Sequence, residues 1–259
     1  MPLQRGGNTV AVPFYFFEMN KAYMNWSGGK DSALALHHAF KDTSLQVGAL
    51  FTSINAAHDR VSMHGVRRKL AEAQAAAIGL PLYVAQLPEQ PSMTAYESEM
   101  RQRVALLKKA GYSTALFGDI YLEDLRQYRE AQLNAQGISC QFPLWKKDPS
   151  VLMEEFLAAG FKAIVVCVNG SHLDPGFCGR LLNEDFLNDL PPGADPCGEN
   201  GEYHSFVFDG PIFRTPVHFT VGESVTREYP APQVAKDECF LNTSPSTISF
   251  HFTDLIPVA

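Results

Sequence analysis

The sequence has no Cys-x-x-Cys pair among its five cysteines and no Gly-x-x-x-x-Gly-Lys-Ser/Thr segment. The first absence argues against a zinc site and against a redox-active dithiol. The second excludes the ordinary nucleotide-binding P-loop. An odd number of widely spaced cysteines, without a secretory signal pattern ahead of them, predicts a cytoplasmic protein.

Clusters of positive charge and long apolar runs are also missing. Lys and Arg number 21 against 28 Asp and Glu, which gives a formal net charge of −7. The basic residues are scattered as pairs, so general binding to nucleic acid is not expected, because that requires clustered cations. The apolar run 10–17 is too short to span a membrane, and no membrane association is expected.

Short apolar segments alternate instead with helical patterns from residue 21 to about residue 142. This alternation predicts an α/β fold, a doubly wound and mostly parallel sheet with helices on both faces. After residue 142 the chain becomes rich in glycine, proline and acidic residues, so we predict a smaller C-terminal α+β domain over 143–259 that binds substrate. Residues 1–20 are expected to form a loose N-terminal extension.

The most informative segment joins a predicted strand to a predicted helix and reads Ser27-Gly28-Gly29-Lys30-Asp31-Ser32. Glycines let the backbone approach a phosphate, and the unpaired N–H groups of the first helical turn point at it. Lys30 adds a positive charge, Asp31 a candidate magnesium ligand, and the serines further hydrogen bonds. The hexapeptide resembles the PP-loop of the ATP pyrophosphatases, which cleave ATP between the α and β phosphates. We expect all six residues to bind ATP and expect Lys30 and Asp31 to act in catalysis.

A second unusual segment lies in the acidic region and reads Cys197-Gly198-Glu199-Asn200-Gly201-Glu202-Tyr203-His204. Asn-Gly before strand-type residues is typical of a β-hairpin, so a purely structural turn is one interpretation. A hairpin does not require the two glutamates, however. Two carboxylates and an imidazole around a tight turn can bind a cationic substrate, orient an amine or accept a proton. We therefore predict substrate binding by residues 199–202 and His204, and catalysis by Glu199 and Glu202.

Three further residues are candidates for the ATP site. His64 lies near the predicted start of the second helix, where it and Arg67 are placed to face the phosphates; a surface or capping histidine is the alternative. Gly118 and Asp119 end a predicted strand, and ligands of parallel sheets lie beyond such ends. Asp119 is expected to share a magnesium ion with Asp31 or to bind a ribose hydroxyl, and a helix N-cap is the alternative.

Together, these motifs are similar to those of the diphthine–ammonia ligase family of PP-loop ATPases. The matching segments follow the family's order and are 27–32, 62–64, 117–120, 142–145, 197–204 and 209–213. The resemblance implies an ATP-binding domain over 21–142 like that of the adenine nucleotide α-hydrolases, of HUP type. It also implies an ATP-dependent amide ligase with ATP and Mg²⁺ as cofactors. Such an enzyme adenylates a carboxylate and transfers ammonia or an amine to it, releasing AMP and pyrophosphate.

Some segments resemble the bacterial branch of that family; they are 25–26, 64–67 and 122–129. Bacteria are not expected to make diphthamide, so the implied acceptor is a small-molecule or protein-borne carboxylate whose identity the sequence leaves open. The sequence does not indicate an oligomeric state either.

Two other functions remain as alternatives. A tRNA-modifying PP-loop enzyme would require a catalytic cysteine pair and a basic face, and Cys197 is the candidate for sulfur transfer. A non-catalytic module that binds ATP or AMP is the second alternative, against which the intact Lys30 and Asp31 argue.

Overall fold

The computed structural model describes residues 20–62, 64–230 and 247–258. The strands are β1 (Asn20–Asn25), β2 (Leu45–Asn55), β3 (Arg60–Val61), β4 (Leu82–Leu87), β5 (Thr114–Leu116), β6 (Ser139–Gln141), β7 (Lys162–Asn169), β8 (Tyr203–Asp209), β9 (Phe219–Pro230) and β10 (Thr247–Pro257). The helices are α1 (Lys30–Lys41), α2 (Arg68–Ile78), α3 (Met93–Lys109), α4 (Glu123–Asn134), α5 (Pro149–Ala158) and α6 (Glu184–Asn188). Within the described ranges, no helix is long and apolar enough to cross a membrane. The predicted extension 1–20 lies outside them, apart from Asn20, which begins β1.

The first sheet is mostly parallel, as predicted. Strand β1 pairs in parallel with β2 on one side and with β5 on the other, and β4 and β6 extend the sheet outward in the same direction. The two-residue β3 pairs antiparallel with β2. Because the strand order reverses at β1, the carboxyl ends of β1 and β5 border the crevice in which sheets of this kind bind ligands.

Helices cover both faces of this sheet, which confirms the doubly wound architecture. On one face, Leu34 and Leu36 of α1 pack with Met24 of β1 in a buried cluster. On the other face, Val104 of α3 and Leu133 of α4 belong to a second buried cluster. Each helix thus hides an apolar stripe against the sheet and turns its polar side to solvent.

The C-terminal part forms a smaller antiparallel sheet with the strand order β8-β7-β10-β9. Its apolar face continues the core of the first sheet, because the cluster around Leu36 also contains Val165 of β7 and Val207 of β8. One consequence matters for the site: β8 runs alongside the segment between β1 and α1, where the Val207 N–H donates a 2.9 Å hydrogen bond to the Gly28 carbonyl.

The segment before β8 differs from the predicted hairpin. No strand pairs with β8 through the Asn-Gly turn in the described part of the chain; residues 191–202 form successive turns instead. Gly198 and Gly201 adopt left-handed conformations with φ of 65° and 85°. These angles favour glycine and let the chain coil tightly rather than extend into a second strand.

Candidate functional site

A cavity of about 470 Å³ opens at the carboxyl ends of β1, β2 and β5. One end is polar, and the other lies between α3 and α4, where Tyr96, Met100, Leu125 and Tyr128 line it. The predicted site residues in its wall are Ser27, Lys30, Asp31, Ser32, His64, Gly118, Asp119, Glu199, Gly201 and His204. The structure therefore brings both sequence motifs to one cavity. The other predicted residues, Gly28, Gly29, Asn200 and Glu202, are not part of that wall.

The segment 27–32 has the form of an anion-binding loop. Gly28 has a φ of 81°, and Gly29 is the N-cap of α1 without any side-chain cap. The Gly29 N–H donates to Ser27 Oγ at 3.2 Å, and Ser32 Oγ donates to the Gly29 carbonyl at 2.9 Å. The positive end of a twelve-residue helix therefore faces the cavity, and such an end stabilises phosphate groups.

Lys30 is a fixed cation in the wall of this cavity. It is 4% exposed, its Nζ lies 2.9 Å from Asp31 Oδ2, and it sits 5.1 Å from the centre of the Tyr203 ring. Burial on its own would lower the pKa of Lys30, but the charge of Asp31, its hydrogen bond to Lys30 and the neighbouring Tyr203 and Cys197 together outweigh burial, so the pKa is raised above its ordinary value. Lys30 is therefore positively charged at neutral pH.

Three carboxylates from three different elements share the cavity. Burial raises the pKa of Asp119, the Arg129 ion pair opposes this, and the charge of Asp31 adds to it. Burial likewise raises the pKa of Glu199 to about 7, again with a contribution from Asp31. Asp119 is not a helix N-cap, because Leu122 occupies that position of α4.

The repulsion among these carboxylates is the kind that a bound cation relieves. In the described ranges, no group of three or more His, Cys, Asp or Glu side chains is arranged to hold a metal ion unaided. Magnesium in nucleotide sites usually needs only one or two carboxylates, because phosphate oxygens and water complete its shell. Asp31 and Asp119 are two carboxylates in the cavity wall, and each is also paired with a cation, Lys30 and Arg129 respectively.

The turn before β8 is fastened to the loop between β5 and α4. The Ile120 N–H donates to Glu199 Oε1 at 2.9 Å, and the Tyr121 hydroxyl donates to the Asp195 carboxylate. The Tyr121 hydroxyl also lies 3.3 Å from Asn200 Oδ1. Glu199 is thus held at the cavity by a main-chain donor from the loop between β5 and α4.

Glu202 points into the turn itself. It is 1% exposed, and its Oε1 accepts from the Asp195 N–H at 3.0 Å and from Asn200 Nδ2 at 3.2 Å. Its Oε2 has no hydrogen-bond partner among the described residues. The structure therefore places Glu202 where it shapes the turn that carries Glu199.

Two half-buried histidines form one side of the cavity. The rings of His64 and His204 lie 4.6 Å apart, and His64 Nδ1 is 3.3 Å from the Ser205 carbonyl. Burial, together with the positive charge of Lys30, lowers the pKa of His64 to about 4 and that of His204 to about 3. Both rings are therefore neutral at neutral pH.

The surroundings of His64 correct two expectations. His64 lies in a turn after β3, and α2 begins only at Arg68. Arg67 does not face the cavity, because its guanidinium is bound to the Asp254 carboxylate of β10 at 2.6 Å. The reason is local: Gly65, with a φ of 69°, turns the chain between His64 and Arg67 so that they do not share a helical face.

Replacement of His204 by glutamine should flatten the acid side of the stability profile. The unfolded chain binds a proton at His204 near pH 6.5, whereas the folded chain does so only near pH 3, so stability falls as the pH drops below 6.5. Between pH 7 and pH 5, the free energy of unfolding measured in urea should fall by about 1–2 kcal/mol less in His204→Gln than in the wild type. His58→Gln, on the surface, is the control, and parallel profiles for all three proteins would contradict the assignment.

Sequence reasoning missed several residues that shape the site. Gln74 of α2 is fully buried and bonds to the loop 27–32, and Ser205 of β8 accepts from the Lys30 N–H at 3.1 Å. Arg129 holds Asp119. Gln74 did carry a signal, because it falls on the apolar face of α2 between Leu70 and Ile78, where a polar side chain needs partners. Ser205 carried none, and Arg129 lies in the segment 122–129 of the family resemblance but fits a surface charge equally well.

Fold and site together define the class of protein. A doubly wound parallel sheet carries a PP-loop at the end of its central strand, and this loop faces a cavity closed by an acidic turn from a second sheet. These are the features of a PP-loop nucleotide-binding protein.

Comparison with known proteins then gives the family. The model of the diphthamide synthase N-terminal domain matches residues 19–139, and that of the diphthamide synthase C-terminal domain matches residues 148–229. These segments cover most of the chain, which belongs to the diphthamide synthase family.

Individual relatives agree with that membership. The diphthine–ammonia ligase of Rattus norvegicus is 33% identical over 99 residues, 36% of this chain and 36% of that protein. The diphthine–ammonia ligase of Danio rerio is 26% identical over 222 residues, 77% of this chain and 86% of that protein. The match thus spans about a third of the rat protein's length. The U34-tRNA thiolase NcsA from Methanococcus maripaludis matches at a TM-score of 0.33 and 15% identity, over 54% of this chain and 56% of that chain.

Proposed function

We propose that this protein is an ATP-dependent carbon–nitrogen ligase that converts a carboxylate into an amide. The observation that carries the proposal is the meeting of Lys30, at the start of α1, and Glu199, in the turn before β8, in one cavity. A nucleotide-binding module would need the first residue alone. The family's named members, which join ammonia to diphthine, support the same chemistry.

In the first step, an oxygen of the acceptor carboxylate attacks the α phosphorus of ATP. The new O–P bond forms an acyl-adenylate, the bond to the β phosphate breaks, and pyrophosphate leaves. Negative charge grows on the phosphate oxygens during this step. The first-turn N–H groups of α1 and the ammonium of Lys30 are placed to stabilise that charge. A magnesium ion held by Asp31 and Asp119 would neutralise further phosphate charge.

In the second step, the nitrogen of ammonia or another small amine attacks the acyl carbon, and AMP leaves as the C–N bond forms. The nitrogen must lose a proton as it becomes an amide. Glu199 is suited to accept it, because its pKa of about 7 lets the carboxylate both take up and release a proton near neutral pH. Glu202 would act behind it by holding the turn.

The two parts of the chain have different roles in this proposal. Residues 21–142 would bind ATP, and residues 143–259 would bring the acceptor and the amine to it. The acceptor is a carboxylate on a protein, as in diphthine, or on a small molecule.

Product analysis tests this proposal directly. Purified protein would be incubated with ATP, magnesium and ammonium, together with either a diphthine-bearing protein or a small-molecule cell extract. AMP and pyrophosphate that depend on one of these acceptor sources are the expected result. ADP and phosphate, or ATP bound without turnover in every mixture, would contradict the proposal and favour a binding module.

Sulfur transfer is the alternative function, and substitution of Cys197 tests it. Burial raises the pKa of the Cys197 thiol to about 12, and its Sγ donates to the Pro149 carbonyl at 3.4 Å. A buried thiol of this kind is a poor nucleophile. We therefore expect Cys197→Ser to keep acceptor-dependent AMP formation within about threefold of the wild type, because serine can donate to the same carbonyl. Loss of turnover in a variant that still unfolds cooperatively would instead support sulfur transfer.

A further inference from the structure

The segment 27–32 is held in place by groups that do not belong to it. We infer that Gln74, together with Ser205 and Val207 of β8, positions the PP-loop for ATP, so that the C-terminal domain is a structural part of the nucleotide site. The inference rests on the proposed function only in taking ATP as the ligand of this loop.

Gln74 is the centre of the arrangement. Its carboxamide is fully buried and makes three hydrogen bonds, none of them within its own helix. Nε2 donates to the Gly28 carbonyl at 3.0 Å and to the Val207 carbonyl at 2.6 Å, while Oε1 accepts from Trp26 Nε1 at 2.9 Å. One side chain of α2 thus joins the end of β1, the PP-loop and β8.

Strand β8 holds the loop at two further points. The Gly28 carbonyl accepts a second hydrogen bond from the Val207 N–H at 2.9 Å. The Lys30 N–H donates to Ser205 Oγ at 3.1 Å. The fit leaves no spare room, because a Cβ atom at Gly28 would lie 2.6 Å from Gln74 Oε1, and one at Gly29 would lie 3.1 Å from the Ser205 carbonyl oxygen.

These bonds set the direction in which the loop presents its donors. A trans peptide directs the carbonyl of one residue and the N–H of the next to opposite sides. With the Gly28 carbonyl drawn toward Gln74 and β8, the Gly29 N–H faces the other way, toward Ser27 at the cavity wall. Without Gln74 and β8, the left-handed Gly28 has no contact of this kind to fix that peptide plane, and glycine is free to rotate.

The same strand links the two halves of the site. Ser205 lies three residues after Glu202, so the turn that carries Glu199 and the strand that holds the PP-loop are continuous in the chain. An N-terminal domain separated from β8 would lose one of the two hydrogen bonds on the Gly28 carbonyl and the Ser205 acceptor of the Lys30 N–H. The nucleotide site therefore requires both domains.

The test is the affinity of the full chain for ATP, measured by calorimetry without acceptor. Gln74→Met keeps the length of the side chain and removes all three hydrogen bonds, and Ser205→Ala removes only the acceptor of the Lys30 N–H. We expect the dissociation constant for ATP to rise about tenfold or more in Gln74→Met and roughly three- to tenfold in Ser205→Ala. Ile78→Val, buried on the same helix and away from the loop, is the matched control and should bind ATP as the wild type does.

Thermal unfolding separates positioning from general stability. If Gln74 is merely structural, Gln74→Met should lower the unfolding midpoint, as Ile78→Val is expected to do, and leave the ATP affinity of the folded variant unchanged. That result would overturn the inference. If Gln74→Met does not fold, Ser205→Ala decides by the same criterion. A wild-type protein that fails to bind ATP would overturn the proposed function as well, whereas equal affinity in the wild type and both variants would overturn this inference alone.

Discussion

Replacement of Lys30 by alanine should reduce acceptor-dependent AMP formation by about 10²- to 10³-fold, since the loss of one preorganised donor to a developing charge costs about 3–4 kcal/mol in the transition state. Lys30 is 4% exposed, and its ammonium contacts Asp31 and the ring of Tyr203. A neighbouring cation therefore cannot take its place. The measurement is the initial rate of pyrophosphate release at saturating ATP.

Two further variants are needed to interpret this result. Lys30→Met keeps the aliphatic stem against Tyr203 and should lose as much activity as the alanine variant, which separates charge from packing. Lys41→Ala removes an exposed lysine from the other end of the same helix and should behave as the wild type. Pyrophosphate release that survives in Lys30→Met would show that the ammonium is not used and would remove the ligase assignment.

The parallel sheet and its ATP loop could be predicted from sequence because their signals are local. A strand, two glycines and a helix start are adjacent in the chain, and the structure confirms each of them between Asn20 and Lys41. The meeting of the two motifs was predictable only through the family resemblance. Nothing in the spacing of Ser27 and Glu199, which are more than 170 residues apart, states that β8 returns beside β1.

Other parts of the site depend on partners distant in sequence. Asp119 alone fits a helix cap, a metal ligand or a ribose contact, and only the structure, in which Leu122 is the N-cap of α4, excludes the first. The position of Arg67 depends on Asp254, which lies 187 residues further along the chain. Gln74 shows the limit most clearly, because a polar residue on an apolar helix face indicates a buried partner without identifying it.

Glu199→Gln should leave adenylation in place and stop the transfer of nitrogen. Glutamine preserves the volume and the oxygen that accepts from the Ile120 N–H, so the turn stays fastened, but an amide cannot take a proton from the attacking amine. We expect acceptor-dependent exchange of pyrophosphate into ATP within about threefold of the wild type, and a loss of at least about 10²-fold in ammonium-dependent AMP release. The control is Glu223→Gln, an exposed change on β9 with no effect on either rate. Equal loss of both rates in Glu199→Gln would place Glu199 in ATP binding rather than in transfer.

The same substitution should stabilise the fold, which a purely structural glutamate would not do. The pKa of Glu199 is raised to about 7 in the folded protein, so between its ordinary value and pH 7 the folded state binds more protons than the unfolded state, and stability falls as the pH rises through that window. Above pH 7 the buried charge carries its full cost, and Glu199→Gln should be more stable than the wild type by about 1–3 kcal/mol in urea unfolding at pH 8, without nucleotide or magnesium. At pH 4 the difference should nearly vanish, because the side chain of Glu199 is then mostly protonated in both the folded and the unfolded state. If Glu199→Gln gains stability and loses transfer, the fold tolerates an unfavourable carboxylate where the reaction needs one. If Glu199→Gln is less stable than the wild type at pH 8, the role of Glu199 is to hold the turn alone.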